Sequence, residues 1–368
     1  MAASATGFDE IPVIDLSDLD GPTEARRALA ERLVAVCHEV GFMIVSGHGV
    51  DDRVVDDVFD LMRRFFELDE ASKALIDKRR SPQFRGWEAV GSEFTNNRVD
   101  VREQIDIWSA WPEVTDRSEP VYERLHGPNQ WMPVEVVPGQ REITERWMAE
   151  LGSLADRILA LLAIGLGLDE GFFADLFGDR PMSLTKMIDY PPTPAGGAGV
   201  NAHHDTGFLT LLAPGDVPGL EVLNPTGEWV AVPALPRTFV VNLGEMLQSM
   251  TGNYFVATAH RVITSESRQS AAYFHGPSLD TPLHPIDLDP RFAAAVAASP
   301  RHAAAGYMAS ASETDAGVGD MASERHADTY GRQLWDYFVR SYPDNVARHH
   351  PDALDHDEIG VDKRSSKG

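Results

Sequence analysis

From Ser183 to Pro277 the chain is written as short apolar runs broken by turn residues: SLTKMIDYPP, GFLTLLAP, GLEVLNPTGEWVAV, TFVVNLGEML, YFVATAHRVI and SAAYFHGP. Runs of this length suit strands better than helices, and NPTGEW reads as a hairpin turn. Regular spacing of that kind confines the stretch to a β-sandwich or barrel. The flanks follow a different period. IPVIDLSDL, from Ile11 to Leu19, reads as a short strand, and Thr23 to Val40 as a helix with Leu29, Leu33, Val36 and Val40 on one face, stopped by Gly41. GFMIVSGHGV reads as a buried strand, and Asp51 to Asp77 as a second amphipathic helix through Val55, Val58, Met62, Phe65 and Phe66. Residues 81–108, rich in Gly, Asn and aromatic side chains, predict an irregular loop that ends in the strand-like EQIDIW, and Ile143 to Leu168 predicts the longest helix. Beyond Pro290 come an alanine-rich helix, a Gly/Ser/Ala linker from Ala309 to Ala322, a last helix from Ser323 to Tyr342 and a polar tail expected to fray. The expected division is 1–140, a helical N-terminal region with a substrate loop; 141–180, a supporting helix; 181–285, the β core; and 286–368, a helical extension and tail.

Bulk properties narrow the partners. A chain of 368 residues with 43% hydrophobic content can fill a sizeable core, while a formal charge of −25 disfavours nucleic acid and acidic membrane surfaces. The start, MAASATGFDE, lacks a basic and then apolar leader, and no run reaches the roughly 18 apolar residues of a membrane span. A globular enzyme is therefore permitted, and a cytoplasmic location is expected. Cys37 is the only cysteine, which excludes an internal disulfide or thiolate zinc cage; within LVAVCHEVGF it reads as a buried helix position.

The polar exception within the β block is VNAHHDTGFLTLL, Val200 to Leu212. Strand side chains alternate, so His203 and Asp205 project together and His204 oppositely. A third donor should come from another strand of the same sheet, and His260, in the later ATAHRVI, lies in the same β-rich block. Two imidazoles and one carboxylate on one face of an octahedron leave three positions free, the arrangement that lets Fe(II) take a bidentate cosubstrate and O₂ together. A lone His-x-Asp is more often a hydrogen-bonded surface pair. Context raises its weight: in SRQSAAYF, Arg268 and Ser270 share a strand face and could clamp the distal carboxylate of a dicarboxylic acid such as 2-oxoglutarate.

This combination resembles the isopenicillin-N-synthase-like branch of the Fe(II)/2-oxoglutarate-dependent oxygenases. The resemblance runs through IPVIDLSDL, VCHEVGFMIVSGHGV, KMIDYPP, AHHDTGFLTLL, GLEVLNPTGEWVAV, VVNLGEMLQSMTGNYFVATAHRV and RQSAAYF, which together cover most of the chain. It implies a mainly β fold with flanking helices, a distorted double-stranded β-helix (jelly roll), with N-terminal helices against its outside and the last helix closing over the pocket. It implies Fe(II), 2-oxoglutarate and O₂ as cofactors, with His203, Asp205 and His260 as iron ligands. Arg268 with Ser270 resembles the 2-oxoglutarate clamp, and Tyr190 resembles a tyrosine that assists at the cosubstrate. The implied activity couples decarboxylation of 2-oxoglutarate to succinate with oxidation of a small molecule, by default hydroxylation.

Two departures stand out. Ile188 occupies a position where the family often has Asn, so that contact to the cosubstrate is missing or supplied by Lys186, and His204 stands where Thr is common. The loop QFRGWEAVGSEFT resembles a bacterial subgroup of ethylene-forming and homoarginine-hydroxylase type. That likeness points to Glu93 and Thr95 as contacts for a basic amino acid, with Phe94 in place of a small aliphatic residue, and Arg85 and Trp87 could wall the pocket. Three rivals remain at this level: an oxidase or oxidative cyclase with the same iron site but no 2-oxoglutarate, a zinc hydrolase built on the same three residues, and a non-catalytic barrel. Zinc hydrolysis leaves Arg268 and Ser270 without a purpose.

Overall fold

The computed structural model describes residues 7–95, 98–116, 120–193, 197–299, 301–302 and 329–353. Its strands, in chain order, are β1 (Val13–Asp15), β2 (Phe42–Ser46), β3 (Gly86–Glu88), β4 (Phe94–Thr95), β5 (Arg98–Val99), β6 (Glu103–Trp108), β7 (Leu184–Tyr190), β8 (Ala198–His203), β9 (Leu209–Ala213), β10 (Leu220–Leu223), β11 (Trp229–Ala231), β12 (Phe239–Leu243), β13 (His260–Ile263) and β14 (Arg268–His275). The helices are α1 (Thr23–Glu39), α2 (Asp52–Phe66), α3 (Glu70–Lys73), α4 (Gln140–Leu166), α5 (Phe172–Phe177), α6 (Glu245–Met250), α7 (Pro290–Ala298), α8 (Tyr330–Ser341) and α9 (Pro343–His349).

Two sheets carry the architecture. The larger runs β1-β2-β12-β9-β14-β7-β6-β3 and the smaller β11-β10-β13-β8. From β7 to β14 the chain crosses repeatedly between them, which is the winding of a double-stranded β-helix. The apolar runs of β2 and β12 follow from burial on both faces. Phe42, Ile44 and Val240 point into the core between the sheets, while Met43, Val45, Phe239 and Val241 point into the core under the helices. In α4, Trp147, Leu151, Leu154, Ile158, Leu161 and Leu162 are buried in that second core. Each such side chain contributes about 1.5–3 kcal/mol. Gly41 makes the α1–β2 turn with φ +75°, and a Cβ there would meet the Val256 carbonyl at 2.1 Å, so even alanine would have to push away the segment that precedes His260.

Some expectations change. The N-terminal region does more than pack helices on the barrel: β2 pairs with β12, and β6 pairs with β7, so it widens the main sheet on both sides. The helix expected to reach Asp77 stops at Phe66. Asp69, extended, caps a new short helix by accepting from Ser72 N, and two 3-10 turns follow at Ala74–Ile76 and Lys78–Arg80. YFVATAHRVI is a strand only from His260, because the residues before it bind the end of α1: Val256 N donates to the Cys37 carbonyl (3.1 Å) and Thr258 Oγ1 to that of Val40 (2.6 Å). The start of the tail does not fray. α9 buries Val346, Asn345 Nδ2 donates to the Ser81 carbonyl (3.0 Å), and His350 Nε2 meets the Pro82 carbonyl (2.8 Å). The last helix is described from Tyr330; its expected start at Ser323, the Ala309–Ala322 linker and the rest of the tail lie outside the described residues. Cys37 is buried, which pushes its thiol far above the ordinary range. No helix among the described residues is long and apolar enough to cross a membrane.

Candidate metal centre

At one end of the space between the sheets, β8 and β13 pair so that His203 lies directly opposite His260. Their rings sit 4.3 Å apart between centroids, tilted by 52°. Asp205, two residues past His203, completes the group: its Oδ1 is 3.8 Å from His203 Nε2 and 3.7 Å from His260 Nε2. Among the described residues these are the three whose donor atoms lie mutually within 4.8 Å.

The remaining polar atoms of the trio are already committed. His203 Nδ1 donates to the Asn201 carbonyl (2.8 Å) and His260 Nδ1 to that of Thr258 (3.2 Å). A carbonyl only accepts, so the protons sit on Nδ1 and both Nε2 lone pairs are left facing the centre. Asp205 Oδ2 accepts from Thr210 Oγ1 (2.6 Å) and Asn242 Nδ2 (2.7 Å), which leaves Oδ1 for the same centre. Burial pushes the His260 imidazole down to about 4, and it lowers His203 as well. Burial would raise Asp205, but the two imidazoles and its hydrogen bonds hold it below the ordinary carboxyl value. Two neutral imidazoles and a carboxylate, each with one unspent donor, fit a divalent cation. Cis donors on bonds of roughly 2.1 Å stand about 3 Å apart, so the set closes on an ion with a small side-chain shift. His204 stands outside the trio, with Nδ1 4.0 Å from Glu245 Oε1.

Above the trio lies a cavity of about 260 Å³ that Arg268, Ser270 and Tyr190 also line. Arg268 and Ser270 are both buried, while Gln269 between them turns away to donate to Asp189 Oδ1 (2.8 Å). Arg268 is aimed by two backbone acceptors, Val217 O (3.2 Å) from Nε and Pro214 O (3.0 Å) from Nη2, and its guanidinium lies 4.8 Å over the Tyr190 ring. Its partners among the described residues are neutral, and a cation held so suits an incoming carboxylate. Ile188 is buried opposite Ser270 in the β14–β7 register.

The far wall of the cavity is ionic. Lys186 reaches Glu93 (3.2 Å) and Asp106 (3.3 Å), and Arg102 reaches Glu93 (2.6 Å) and Asp100 (3.1 Å). Lys78 joins Asp106 (2.7 Å) to Glu88, and Tyr342 Oη donates to Glu88 (3.2 Å). Burial would raise the Glu93 carboxyl, yet Arg102, Lys186 and Lys78 hold it far below its usual range, and Asp106 and Glu93 lift Lys186 well above the ordinary lysine value despite its burial. α8 roofs the cavity with Gln333, Leu334, Tyr337 and Phe338.

Several sequence expectations meet this wall differently. Glu93 and Thr95 line the cavity, but neither is idle: Glu93 already faces two cations, and Thr95 Oγ1 donates to Asp100 (2.6 Å). The Phe94 side chain lies outside the described residues. Lys186 also lines the cavity and is paired with Glu93 and Asp106. Arg85 requires a correction. It is fully buried away from the cavity, with its guanidinium donating to the carbonyls of Gly127, Ser109 (3.1 Å) and Leu125 (3.0 Å), a role in loop packing. Trp87 is likewise buried, with Nε1 donating to Glu103 (2.7 Å). The sequence reading missed Lys78, Arg102, Asp100, Asp106 and Asn242. A strand as apolar in setting as EQIDIW that nonetheless carries Glu103, Gln104 and Asp106 was the available signal.

Comparison with known proteins bears on this geometry. Residues 11–133 match the family model described as the N-terminal region of non-haem dioxygenases in morphine synthesis, and residues 180–277 match that of the 2OG-Fe(II) oxygenase superfamily. The homoarginine-6-hydroxylase 2-ODD-C23 of Glycine max is 34% identical over 303 residues, 77% of this chain and 90% of that protein. Among solved structures, a full-length Neurospora crassa protein in complex with alpha-KG and thymine superposes with a TM-score of 0.69 at 21% identity, covering 92% of this chain and all (100%) of that one. JOX2 in complex with 2OG, Fe and JA gives a TM-score of 0.61 at 26% identity over 76% of this chain and 78% of that one.

Proposed function

The chain belongs to the 2OG-Fe(II) oxygenase superfamily, and on that premise we propose that His203, Asp205 and His260 hold its iron while Arg268 and Ser270 receive the distal carboxylate of 2-oxoglutarate. It is a non-haem iron dioxygenase that uses Fe(II), 2-oxoglutarate and O₂ and oxidises a small molecule. The observation that carries the residue assignment is the convergence of three uncommitted donor atoms within 4.8 Å, beside a buried arginine that, among the described residues, backbone carbonyls and a tyrosine ring restrain.

Fe(II), when bound there, supplies O₂ activation at the expense of 2-oxoglutarate, which leaves as succinate and CO₂ while the substrate is oxidised. The chain's own residues supply position. The Asn201 and Thr258 carbonyls keep the ring protons on Nδ1, and Thr210 with Asn242 turns Asp205 so that Oδ1 faces the histidines. Arg268 and Ser270 orient the dicarboxylate, with Tyr190 beside them. Phe42, Leu212 and Val262, with Leu334 and Phe338 of α8, give the cavity apolar walls, which limit water around the reacting groups.

For the substrate we infer a small zwitterion, a basic amino acid, read by Glu93 and Thr95. The cavity wall offers paired charges of both signs, so a ligand that brings its own cation and carboxylate can exchange partners with Glu93, Arg102 and Lys186 without leaving an unpaired ion. The likeness to a homoarginine-6-hydroxylase supports this class. An anaerobic absorption titration with Fe(II) and 2-oxoglutarate, followed by a succinate-release screen over homoarginine, arginine, lysine and uncharged acids, tests it. Succinate release stimulated several-fold by the basic amino acids alone is expected; stimulation only by uncharged acids would remove the substrate class and leave the dioxygenase.

A further inference from the structure

Asp100 is fully buried, lies outside the cavity lining, and shares its two oxygens between two parts of the molecule. Oδ1 accepts from the backbone N–H of Asn201 (3.2 Å) and from Asn201 Nδ2 (2.9 Å). Oδ2 accepts from Thr95 Oγ1 (2.6 Å) and Arg102 Nη2 (3.1 Å). Beyond Asn201 the next bond is to His203, whose Nδ1 donates to the Asn201 carbonyl (2.8 Å). Beyond Arg102 the next partner is Glu93 (2.6 Å).

The arrangement answers a need of the sheet. β8 is the edge strand of the smaller sheet, so its outward N–H groups have no neighbouring strand. Residues 98–101 run alongside instead: Val101 N donates to the Gly199 carbonyl (3.0 Å), and the Asp100 carboxylate takes the amide of Asn201. Four donors on two oxygens require an acceptor on both sides, which an ionised carboxylate provides and an amide does not.

We propose that Asp100 is a positioning residue that ties the substrate-side loop, through Thr95 and Arg102, to the strand that aims His203, so that the seating of the loop and the attitude of the imidazole are set together. The proposal rests on the assignment of His203 to the metal and of the loop to the substrate side. In Asp100→Asn the amide can face Asn201 with its oxygen or Thr95 and Arg102 with its oxygen, and one half of the tie is lost either way.

The test is calorimetric titration of Mn(II), a redox-stable stand-in for Fe(II), into the full-length metal-free protein, with amide hydrogen exchange on the same samples. Asp100→Asn is expected to weaken Mn(II) binding about three- to tenfold, at or below the usual cost of losing a ligand's hydrogen-bond partner because it acts one residue further out. Exchange should rise at 93–95 and 199–203 and stay unchanged in α4. Thr95→Val, a milder loop-side change, should weaken Mn(II) about two- to threefold, and the double variant should bind no more weakly than Asp100→Asn alone, since both act through one residue. Mn(II) affinity in Asp100→Asn within twofold of the unaltered protein, or effects that multiply in the double variant, would overturn the coupling while leaving the metal site standing. Failure of the unaltered protein to bind Mn(II) would overturn the metal assignment and this inference with it.

Discussion

The two ends of the cavity are held in opposite ways. At the metal end, neutral groups do the holding: two backbone carbonyls fix the imidazoles, and a hydroxyl and an amide fix the carboxylate. At the substrate end, Lys78, Arg102 and Lys186 interlock with Glu88, Glu93, Asp100 and Asp106. A metal ligand must keep its lone pair for the ion, so its supports orient it without a competing full charge. The substrate wall and the ion pairs behind it are assembled from separate segments at 78, 88, 93–106 and 186, and ions fix such pieces in one register at the cost of desolvating each of them.

The largest effects should come from the ligands themselves. His203→Ala or Asp205→Ala is expected to abolish turnover and to weaken Mn(II) binding more than about 100-fold, beyond what loss of a supporting partner does. Full activity in either variant would end the metal assignment. Next in size is Lys78→Met, which leaves Glu88 a buried anion without a cation and Asp106 with Lys186 alone; removing one partner of a buried ion pair costs about 3–5 kcal/mol, read as a fall in urea midpoint. Thr210→Val, the matching change at the metal end, removes one neutral-to-charged hydrogen bond and should cost about 1.5–3 kcal/mol at most. If the two costs were reversed, the contrast between ionic and neutral support would be wrong.

Arg268→Ala falls in the same range as Thr210→Val, read as binding instead of stability. Its charge-assisted bonds to a carboxylate are worth about 1.5–3 kcal/mol, so the 2-oxoglutarate requirement should rise roughly 10- to 150-fold in initial-rate measurements of succinate. An unchanged requirement would transfer the clamp to another residue. Glu93→Gln, by contrast, should leave 2-oxoglutarate saturation alone and raise the basic amino acid requirement.

The same contrast decides what could be read from the sequence. His203 ends β8 opposite His260, Asp205 follows two residues on, just past the strand end, and Arg268 with Ser270 follows the period-two rule within β14, so a short local pattern carried those residues into one cavity. The jelly roll was legible for the same reason. The ionic wall was not, because its members pair across the chain: Lys78 meets Glu88 and Asp106 only after the helix expected to run to Asp77 has broken at Phe66. Arg85 shows the limit most plainly. Beside Gly86 and Trp87 in a loop it looks like a pocket residue, but its partners are backbone carbonyls, which every residue has and no sequence marks.

The last prediction separates the two ends by pH in the metal-free protein. The unfolded chain takes up a histidine proton near 6.5, whereas folded His260 resists until about 4 and His203 is lowered in the same direction. Between those values the unfolded state binds more protons, so stability present above 6.5 is lost as pH falls toward 4, by at most about 1.4 kcal/mol per pH unit for each group. Glu93 has the same sign but a lower window: its carboxyl is held far below its ordinary 4.5, so its contribution is complete above 4.5 and is lost only beneath it. Urea unfolding from pH 7 to 3 should therefore show His260→Gln flattening the slope above 4.5 and Glu93→Gln flattening it below. Were both variants to act in one window, or the protein to gain stability from pH 7 to 5, neutral imidazoles at one end and ionised pairs at the other could not both be right.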